Sequence, residues 1–327
     1  MRIGTVGTGF IVDTFLSALA DVEGASCVAM YSRKQESAKP LADKYNIGKI
    51  YTKLTDLYQD SAVDVIYIAS PNSLHYEQAY QALEYGKHVI CEKPFTATVQ
   101  ETEELVRMAK NKQLMLFEAI SNIYLPNIEL VKNNIEKLGP VKIVQCNYTQ
   151  LSSRYFKLLD GETPNVFNPA FAGGVLGDLN IYNIHLVVHL FGKPDQVSYD
   201  ANLYNENIDT SGVVTMKYPD FTAVCTASKD SLGDNAMLIQ GEKGFIKIPG
   251  NSNACSEVYL SLDGEETRLN AQTNENRLYS EIAAFQTIFA SHDLDACYEQ
   301  LDHTLNVMNV YETARKDAGI TFPADKT

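Results

Sequence analysis

Arg2-Ile3-Gly4-Thr5-Val6-Gly7-Thr8-Gly9-Phe10 is the stretch that decides the fold. Arg2 to Val6 reads as a short buried strand, and Gly7-Thr8-Gly9 turns it into a helix. From Phe10 to Leu19 the apolar residues fall at 11, 12, 15, 16 and 19, one face of an amphipathic helix. Gly7 permits a tight turn. Gly9 lets the backbone approach a pyrophosphate, which would rest on the helix N-terminus. Such a glycine pattern alone is a frequent false positive, and its third glycine position is Val12 here, which implies a slightly wider helix–strand contact. The context is right: a strand before, a helix after, and a second strand at Cys27–Tyr31. The reading is a dinucleotide-binding turn with Gly7, Thr8, Gly9, Phe10 and Ile11 at the cofactor. The plainer alternative is an α/β domain with no ligand.

The end of the second strand chooses the cofactor. An NAD site usually carries an acidic residue there for the ribose hydroxyls. This chain has Ser32-Arg33-Lys34. A hydroxyl and two cations suit a 2′-phosphate, because guanidinium binds phosphate in a bidentate way. NADP(H) is therefore expected, with NAD(H) as the alternative if Arg33 only stacks on adenine.

Strand and helix keep alternating to Glu118. Helices are expected over Ser37–Tyr45, Lys53–Gln59, His75–Tyr85 and Val99–Lys112. Strands are expected over Val63–Ala69, His88–Ile90 and Leu114–Glu118, with Lys49–Tyr51 as a short sixth. Ser70-Pro71-Asn72 follows one strand's carboxyl end. Asn72 is placed to hydrogen-bond a ribose or carboxamide, and Ser73 to cap the next helix. His75, in the first turn, is more structural than catalytic. Cys91-Glu92-Lys93-Pro94 follows another strand end. A lysine there is usually a solvated charge, but the ends of parallel strands are where open α/β sheets place ligands. Pro94 removes a backbone donor and restricts the turn, and Glu92 supplies a carboxylate to orient the ammonium. Ser70, Pro71, Asn72, His75, Glu92 and Lys93 complete the expected cofactor site.

Beyond Glu118 the grammar changes. A linking helical region (125–135) precedes strands at 141–151, 197–204, 212–218, 222–228, 236–240, 245–249 and 257–261. Gly241-Glu242-Lys243-Gly244 and Asp263-Gly264 supply turns. Closely spaced strands with short turns read as a mostly antiparallel sheet. Helices at 278–289 and 302–317 close the chain, stopped by Gly319 and Pro323. The expected domains are 1–119, binding the dinucleotide, and 120–327, an α+β domain with an open, mostly antiparallel sheet. One helix interrupts the second domain after Gly173-Gly174. It places Asp178, Tyr182, His185 and His189 within about 60° of one another at ~100° per residue. A solvated face would favour lysine and glutamate. His185 reads equally well as a packing residue and His189 more readily as one, and as metal ligands they lack a third partner.

Composition bounds the function. At 327 residues two domains are natural. A net charge of −14 argues against binding nucleic acid, and no apolar run approaches the ~18 residues of a membrane span. The N-terminus shows no export signal. Six dispersed cysteines without a CxxC pair fit reduced thiols in the cytoplasm and no zinc site.

Together, the Gly7-Thr8-Gly9 turn, Ser32-Arg33, Ala69-Ser70-Pro71-Asn72 with His75, Glu92-Lys93-Pro94, Glu118-Ala119, and Gly173-Gly174 with Asp178 and Tyr182 resemble the Gfo/Idh/MocA family. The resemblance runs nearly the whole length. It implies an N-terminal Rossmann domain, a C-terminal domain whose open sheet forms dimers or tetramers, and a small-molecule pocket between the two. It also implies an active-site role for Lys93, and substrate orientation by Asp178. The residue matching Tyr182 is histidine in inositol dehydrogenase-like members and tyrosine in members resembling dimeric dihydrodiol dehydrogenase, so this chain looks like the tyrosine branch. The chain departs from the family at Asn180, often glycine, and at Ile123-Tyr124-Leu125-Pro126, where an arginine is common. Arg154 is a candidate replacement cation and His185 a second substrate residue.

The resemblance implies NAD(P)-dependent hydride transfer between the nicotinamide and a secondary alcohol or ketone of a sugar-like or polyol substrate. Tyr182 would serve as acid–base group. A tyrosine of ordinary pKa ~10 is a poor base at neutral pH, and the Lys93 ammonium would favour its phenolate. His185 is an alternative proton donor. The rival readings are a cofactor-binding sensor without turnover and an NAD-dependent glycosidase.

Overall fold

The computed structural model describes residues 1–205 and 207–326. The chain forms two compact units. One comprises Met1–Ala119 with Asn276–Leu305, and the other Ile120–Glu275 with the residues from Asn306 onward. Among the described residues no helix is long and apolar enough to cross a membrane.

In the first unit, six parallel strands are β1 (Arg2–Val6), β2 (Ser26–Tyr31), β3 (Ile50–Tyr51), β4 (Val65–Ile68), β5 (His88–Glu92) and β6 (Leu116–Ala119). Their order, β3-β2-β1-β4-β5-β6, reverses direction between β1 and β4, which opens a crevice at the carboxyl ends of those strands. Helices α1 (Phe10–Leu19), α2 (Gln35–Lys44), α3 (Leu54–Gln59), α4 (His75–Glu84) and α5 (Val99–Lys112) make the crossovers. Both faces of the sheet are therefore covered, and β4 is buried at every residue. Thr98 and Glu101 form a capping box that starts α5, and Gln113 ends it in a left-handed conformation at φ 55°. Helix α9 (Tyr279–Ser291) belongs to this unit, and its Phe285 stacks on Phe117 at 4.5 Å.

The second unit is built on eight strands: β7 (Val141–Thr149), β8 (Gln196–Tyr204), β9 (Ile208–Lys217), β10 (Thr222–Ser228), β11 (Ala236–Gly241), β12 (Gly244–Pro249), β13 (Val258–Leu262) and β14 (Glu265–Leu269). Their order is β14-β13-β12-β11-β7-β10-β9-β8. Every pairing is antiparallel except β7 with β10. Helices α6 (Pro126–Lys132), α7 (Ser153–Leu159) and α8 (Ile181–Phe191) accompany it, and α10 spans Leu294–Asp317.

Four local expectations need correction. β14 was not foreseen, because Glu-Glu-Thr-Arg-Leu has no apolar alternation; only its turn, Asp263-Gly264, was legible. α7 falls in a stretch to which the sequence assigns no element. α10 begins at Leu294 rather than 302. Leu176–Asn180 is a π-helical turn leading into α8, not continuous α-helix, so the ~100° spacing does not carry from Asp178 to Tyr182.

Sterics explain the Gly173-Gly174 run that precedes this turn. A Cβ on Gly173 would lie 2.7 Å from the Val166 carbonyl oxygen, and one on Gly174, whose φ is +113°, would lie 2.0 Å from Oδ1 of Asp209. Asp209 is 1% exposed and its Oδ2 accepts from the Leu176 N–H and the Tyr199 hydroxyl, both at 2.7 Å. Burial pushes the Asp209 carboxyl above its usual range, against the effect of those two donors. Gly174→Ala is expected to destabilise the protein by about 2 kcal/mol or more through overpacking and backbone strain. A thermal midpoint equal to wild type would show that Asp209 yields freely.

Candidate functional site

The carboxyl end of the first sheet collects the predicted cofactor residues. Gly7 has φ +119°, and a Cβ there would sit 2.6 Å from the Ala69 carbonyl oxygen, so only glycine lets the loop pass against the end of β4. Gly9 caps α1 in an extended conformation, and its Cβ would meet nothing within 4 Å. That open space lies beside the first turn of α1, whose leading N–H groups have no intrahelical acceptor. Phe10 is 83% exposed beside it; Thr8 and Ile11 are half-buried, and Val12 is fully buried. The narrow turn, open glycine and free helix terminus fit a dinucleotide pyrophosphate. Ser32 is fixed by its N–H bond to the Tyr51 carbonyl at 3.1 Å, while Arg33 and Lys34 are exposed at the end of β2.

The loops after β4 and β5 meet at His75. This residue is 1% exposed, with Nδ1 3.0 Å from the Pro94 carbonyl oxygen and Nε2 3.0 Å from that of Ser70. Burial pulls its pKa down while the two carbonyls oppose that shift. The Ser70 hydroxyl donates to Oε1 of Gln78 at 2.8 Å, and Pro71 and Asn72 lie half-buried at the start of a 3-10 turn. Lys93, half-buried, follows β5 directly and is joined to Pro94 by a cis peptide bond. Its neighbour Glu92 is 8% exposed and accepts from the Tyr67 hydroxyl at 2.7 Å. Burial raises the Glu92 pKa; the Tyr67 hydroxyl and the charges of Lys93 and Arg277 pull it back. Arg277 escaped the sequence reading, because nothing local ties it to β5.

The second unit supplies its own constellation. The Lys229 ammonium lies 2.5 Å from Oδ2 of Asp178; the side chains are 7% and 34% exposed. Tyr182 follows one turn later, 6% exposed, with its ring 6.0 Å from that of Tyr148 on β7. The Asn122 side chain donates to the Tyr182 carbonyl at 2.8 Å. Asn180 is fully buried and donates to the Cys225 carbonyl at 2.9 Å, while Asn183 donates to Asn180 and to the Thr226 carbonyl. These amide bonds tie the helix to β10 and give the polar residue at 180 a packing reason. His185 is fully buried in α8. His189 is half-buried, and desolvation pushes its pKa down to about 4. Arg154 lies exposed on α7 and lines a shallow cleft with Lys157, Glu162 and Asn165. Lys229 and Tyr148 were missed. Lys229 follows a strand just as Lys93 does, so the same signal was available.

Comparison with known proteins places these features. Residues 1–120 match the model of an oxidoreductase family with an NAD-binding Rossmann fold, and residues 130–247 match the Gfo/Idh/MocA C-terminal domain. The chain is 34% identical over 326 residues to a scyllo-inositol 2-dehydrogenase (NADP(+)) of Bacillus subtilis, covering 100% of this chain and 99% of that one. It is 27% identical over 342 residues to the pig (Sus scrofa) trans-1,2-dihydrobenzene-1,2-diol dehydrogenase, again covering 100% and 99%. A 3-ketoreductase from Actinomadura kijaniata, solved with NADP and TDP-benzene, shares the fold at a TM-score of 0.86 and 20% identity, with 97% of each chain covered. The chain thus belongs to the Gfo/Idh/MocA family of oxidoreductases, with an NAD-binding Rossmann domain followed by that family's C-terminal domain.

Proposed function

We propose that this oxidoreductase transfers hydride between NADP(H) and a secondary alcohol or ketone of a cyclic polyol or sugar-like substrate, with Lys93 and Tyr182 as its acid–base pair. The observation that carries the reading is the half-buried Lys93 at the carboxyl end of β5, in a chain one-third identical to an NADP+-dependent inositol dehydrogenase. When bound, the nicotinamide accepts or supplies the hydride. Tyr182 takes the hydroxyl proton in oxidation and returns it in reduction. Lys93 holds positive charge against the oxygen as it becomes alkoxide-like, a stabilisation that grows toward the transition state. Glu92, buried and hydrogen-bonded to Tyr67, fixes the backbone that presents Lys93. Asp178 orients the substrate hydroxyls. Ser32, Arg33 and Lys34 hold the 2′-phosphate; Gly7, Thr8, Gly9, Phe10 and Ile11 line the pyrophosphate; Ser70, Pro71, Asn72 and His75 shape the nicotinamide side.

The second sheet presents a broad depression lined by Asn147, Thr226, Ser228 and Leu238 beside Leu232, which is 83% exposed. We read it as the face that meets a second copy of the chain. Light scattering is expected to give at least twice the chain mass at micromolar protein; a monomer throughout would refute this.

Lys93→Met and Tyr182→Phe are each expected to lower kcat by ~10²-fold or more with scyllo-inositol as substrate, the range of general acid–base groups. Near-normal kcat in both variants would remove them from the mechanism. Arg33→Ala is expected to raise the KM for NADPH by roughly tenfold or more, the loss of one charge-assisted hydrogen bond, with little change for NADH. An equal effect on both cofactors would place Arg33 on the adenine instead of the phosphate.

A further inference from the structure

Around the β1, β2 and β3 edge of the first sheet, most cations sit on a carboxylate. Arg2 pairs with Asp64 at 2.5 Å, Lys39 with Asp43 at 2.7 Å, Lys44 with Asp13 at 2.6 Å and Lys49 with Asp60 at 2.8 Å. Three others differ. Arg33, Lys34 and Lys53 are exposed and make no ion pair or side-chain hydrogen bond among the described residues. The chain has 41 acidic residues against 27 lysines and arginines, so carboxylates are not scarce. Two are close in sequence, Glu36 and Asp56, but they occupy the first turns of α2 and α3, where the helix dipole favours them.

Lys53 lies twenty residues beyond Arg33, and the sheet brings the two together. β2 and β3 run parallel, with Met30 opposite Ile50 and Tyr31 opposite Tyr51. The Met30 N–H donates to the Lys49 carbonyl at 2.9 Å and the Ser32 N–H to the Tyr51 carbonyl at 3.1 Å. The ladder therefore continues one residue past the last pair. The next positions in register set Thr52 beside Ser32 and Lys53 beside Arg33, on strands spaced about 4.8 Å apart. Lys53 is still extended, at φ −122° and ψ 131°, and α3 begins only at Leu54. Lys34 is extended too, and α2 begins at Gln35. All three cations thus leave the sheet at the carboxyl ends of neighbouring strands, the side on which such sheets bind ligands.

We propose that Lys53 is a third cation of the NADP(H) 2′-phosphate site, so that cofactor choice is set at the ends of both β2 and β3. The proposal rests on the reading of Ser32, Arg33 and Lys34 given above and deepens it. A phosphate monoester carries about −1.5 to −2 charges at neutral pH. A guanidinium bonds two of its oxygens along one edge, and an ammonium on the adjacent strand reaches the group from another side. A chain of net charge −14 repels an anion at long range, so the attraction has to be local. NADH lacks the group and leaves Lys53 in water, at no cost to its own binding.

The test is titration of NADPH and NADH fluorescence with the whole protein and no substrate, so that turnover plays no part. Lys53→Met is expected to raise the Kd for NADPH about fivefold or more, the upper range for an exposed charge pair, and to leave the Kd for NADH unchanged. Lys53→Arg is expected to stay close to wild type, and Lys53→Glu to lose more NADPH affinity than Lys53→Met. Lys39→Met removes the same charge from an exposed pair further along α2 and is expected to change neither Kd. A neutral Lys53→Met would overturn the proposal. So would equal weakening of both nucleotides, which would put Lys53 on the adenosine, or a Lys39→Met loss as large as that of Lys53→Met, which would reduce the effect to net charge. The two readings fail separately. If Arg33→Ala weakens NADPH and Lys53→Met does not, only the third cation is refuted; if wild type binds NADPH no tighter than NADH, the whole phosphate site is.

Discussion

Three consecutive residues of β9, Asp209-Thr210-Ser211, hold both arms of the second unit's polar cluster. Asp209 takes the Leu176 N–H at the start of the π-helical turn, and Thr210 and Ser211 take the turn that carries Lys229. The strand is paired on both sides, to β8 and β10, so its position is set by the sheet. Burying the Asp209 carboxylate is costly unless its oxygens are bonded. The Tyr199 hydroxyl and the Leu176 N–H meet that need, and the helix bearing Asp178 and Tyr182 must therefore begin where Asp209 is. The same carboxylate leaves no room for a side chain at Gly174. Asp230 is governed by the same balance: burial pushes its pKa up, but three hydroxyl donors outweigh this and hold it below the usual range.

The first unit meets a different demand, access to the cofactor. Its central strands, β4 above all, are buried on both faces, and sheets of this kind place ligands at the carboxyl ends of their strands. Gly7 is crowded by the Ala69 carbonyl, and Gly9 faces open space. One glycine is needed for the path of the chain, and the other leaves space beside the N-terminus of α1. His75 spans the two loops that follow β4 and β5, touching the carbonyls of Ser70 and Pro94. A buried imidazole between two carbonyls fixes the separation of those loops, as expected of a residue read as structural.

Much of this was legible. β1, α1, α5 and β10 are marked by apolar spacing and glycine turns close together in sequence, and the structure places them at the expected residues. The Gly173-Gly174 signal was plain, but its cause was not, because Asp209 lies more than thirty residues away. The π-helical turn carries no periodic mark, since one extra residue per turn looks like ordinary drift in the apolar pattern. β14 pairs through its backbone with polar side chains outward, and so leaves no alternation to read. Neither Lys229 nor Arg277 announces the carboxylate it acts on, because a charge interaction between distant residues leaves no local trace. Likewise, nothing in Tyr279–Ser291 itself tells which sheet the helix packs on; the stacking of Phe285 on Phe117 settles it.

The central claim is that Lys93 and Tyr182 act on one substrate oxygen. The most direct measurement is a crystal structure with NADP+ and scyllo-inositol bound. The account predicts the Lys93 Nζ and the Tyr182 Oη each within about 3 Å of the same hydroxyl oxygen, on the carbon facing the nicotinamide. A complex in which the two side chains contact different oxygens, or in which one of them faces away from the ligand, would contradict it.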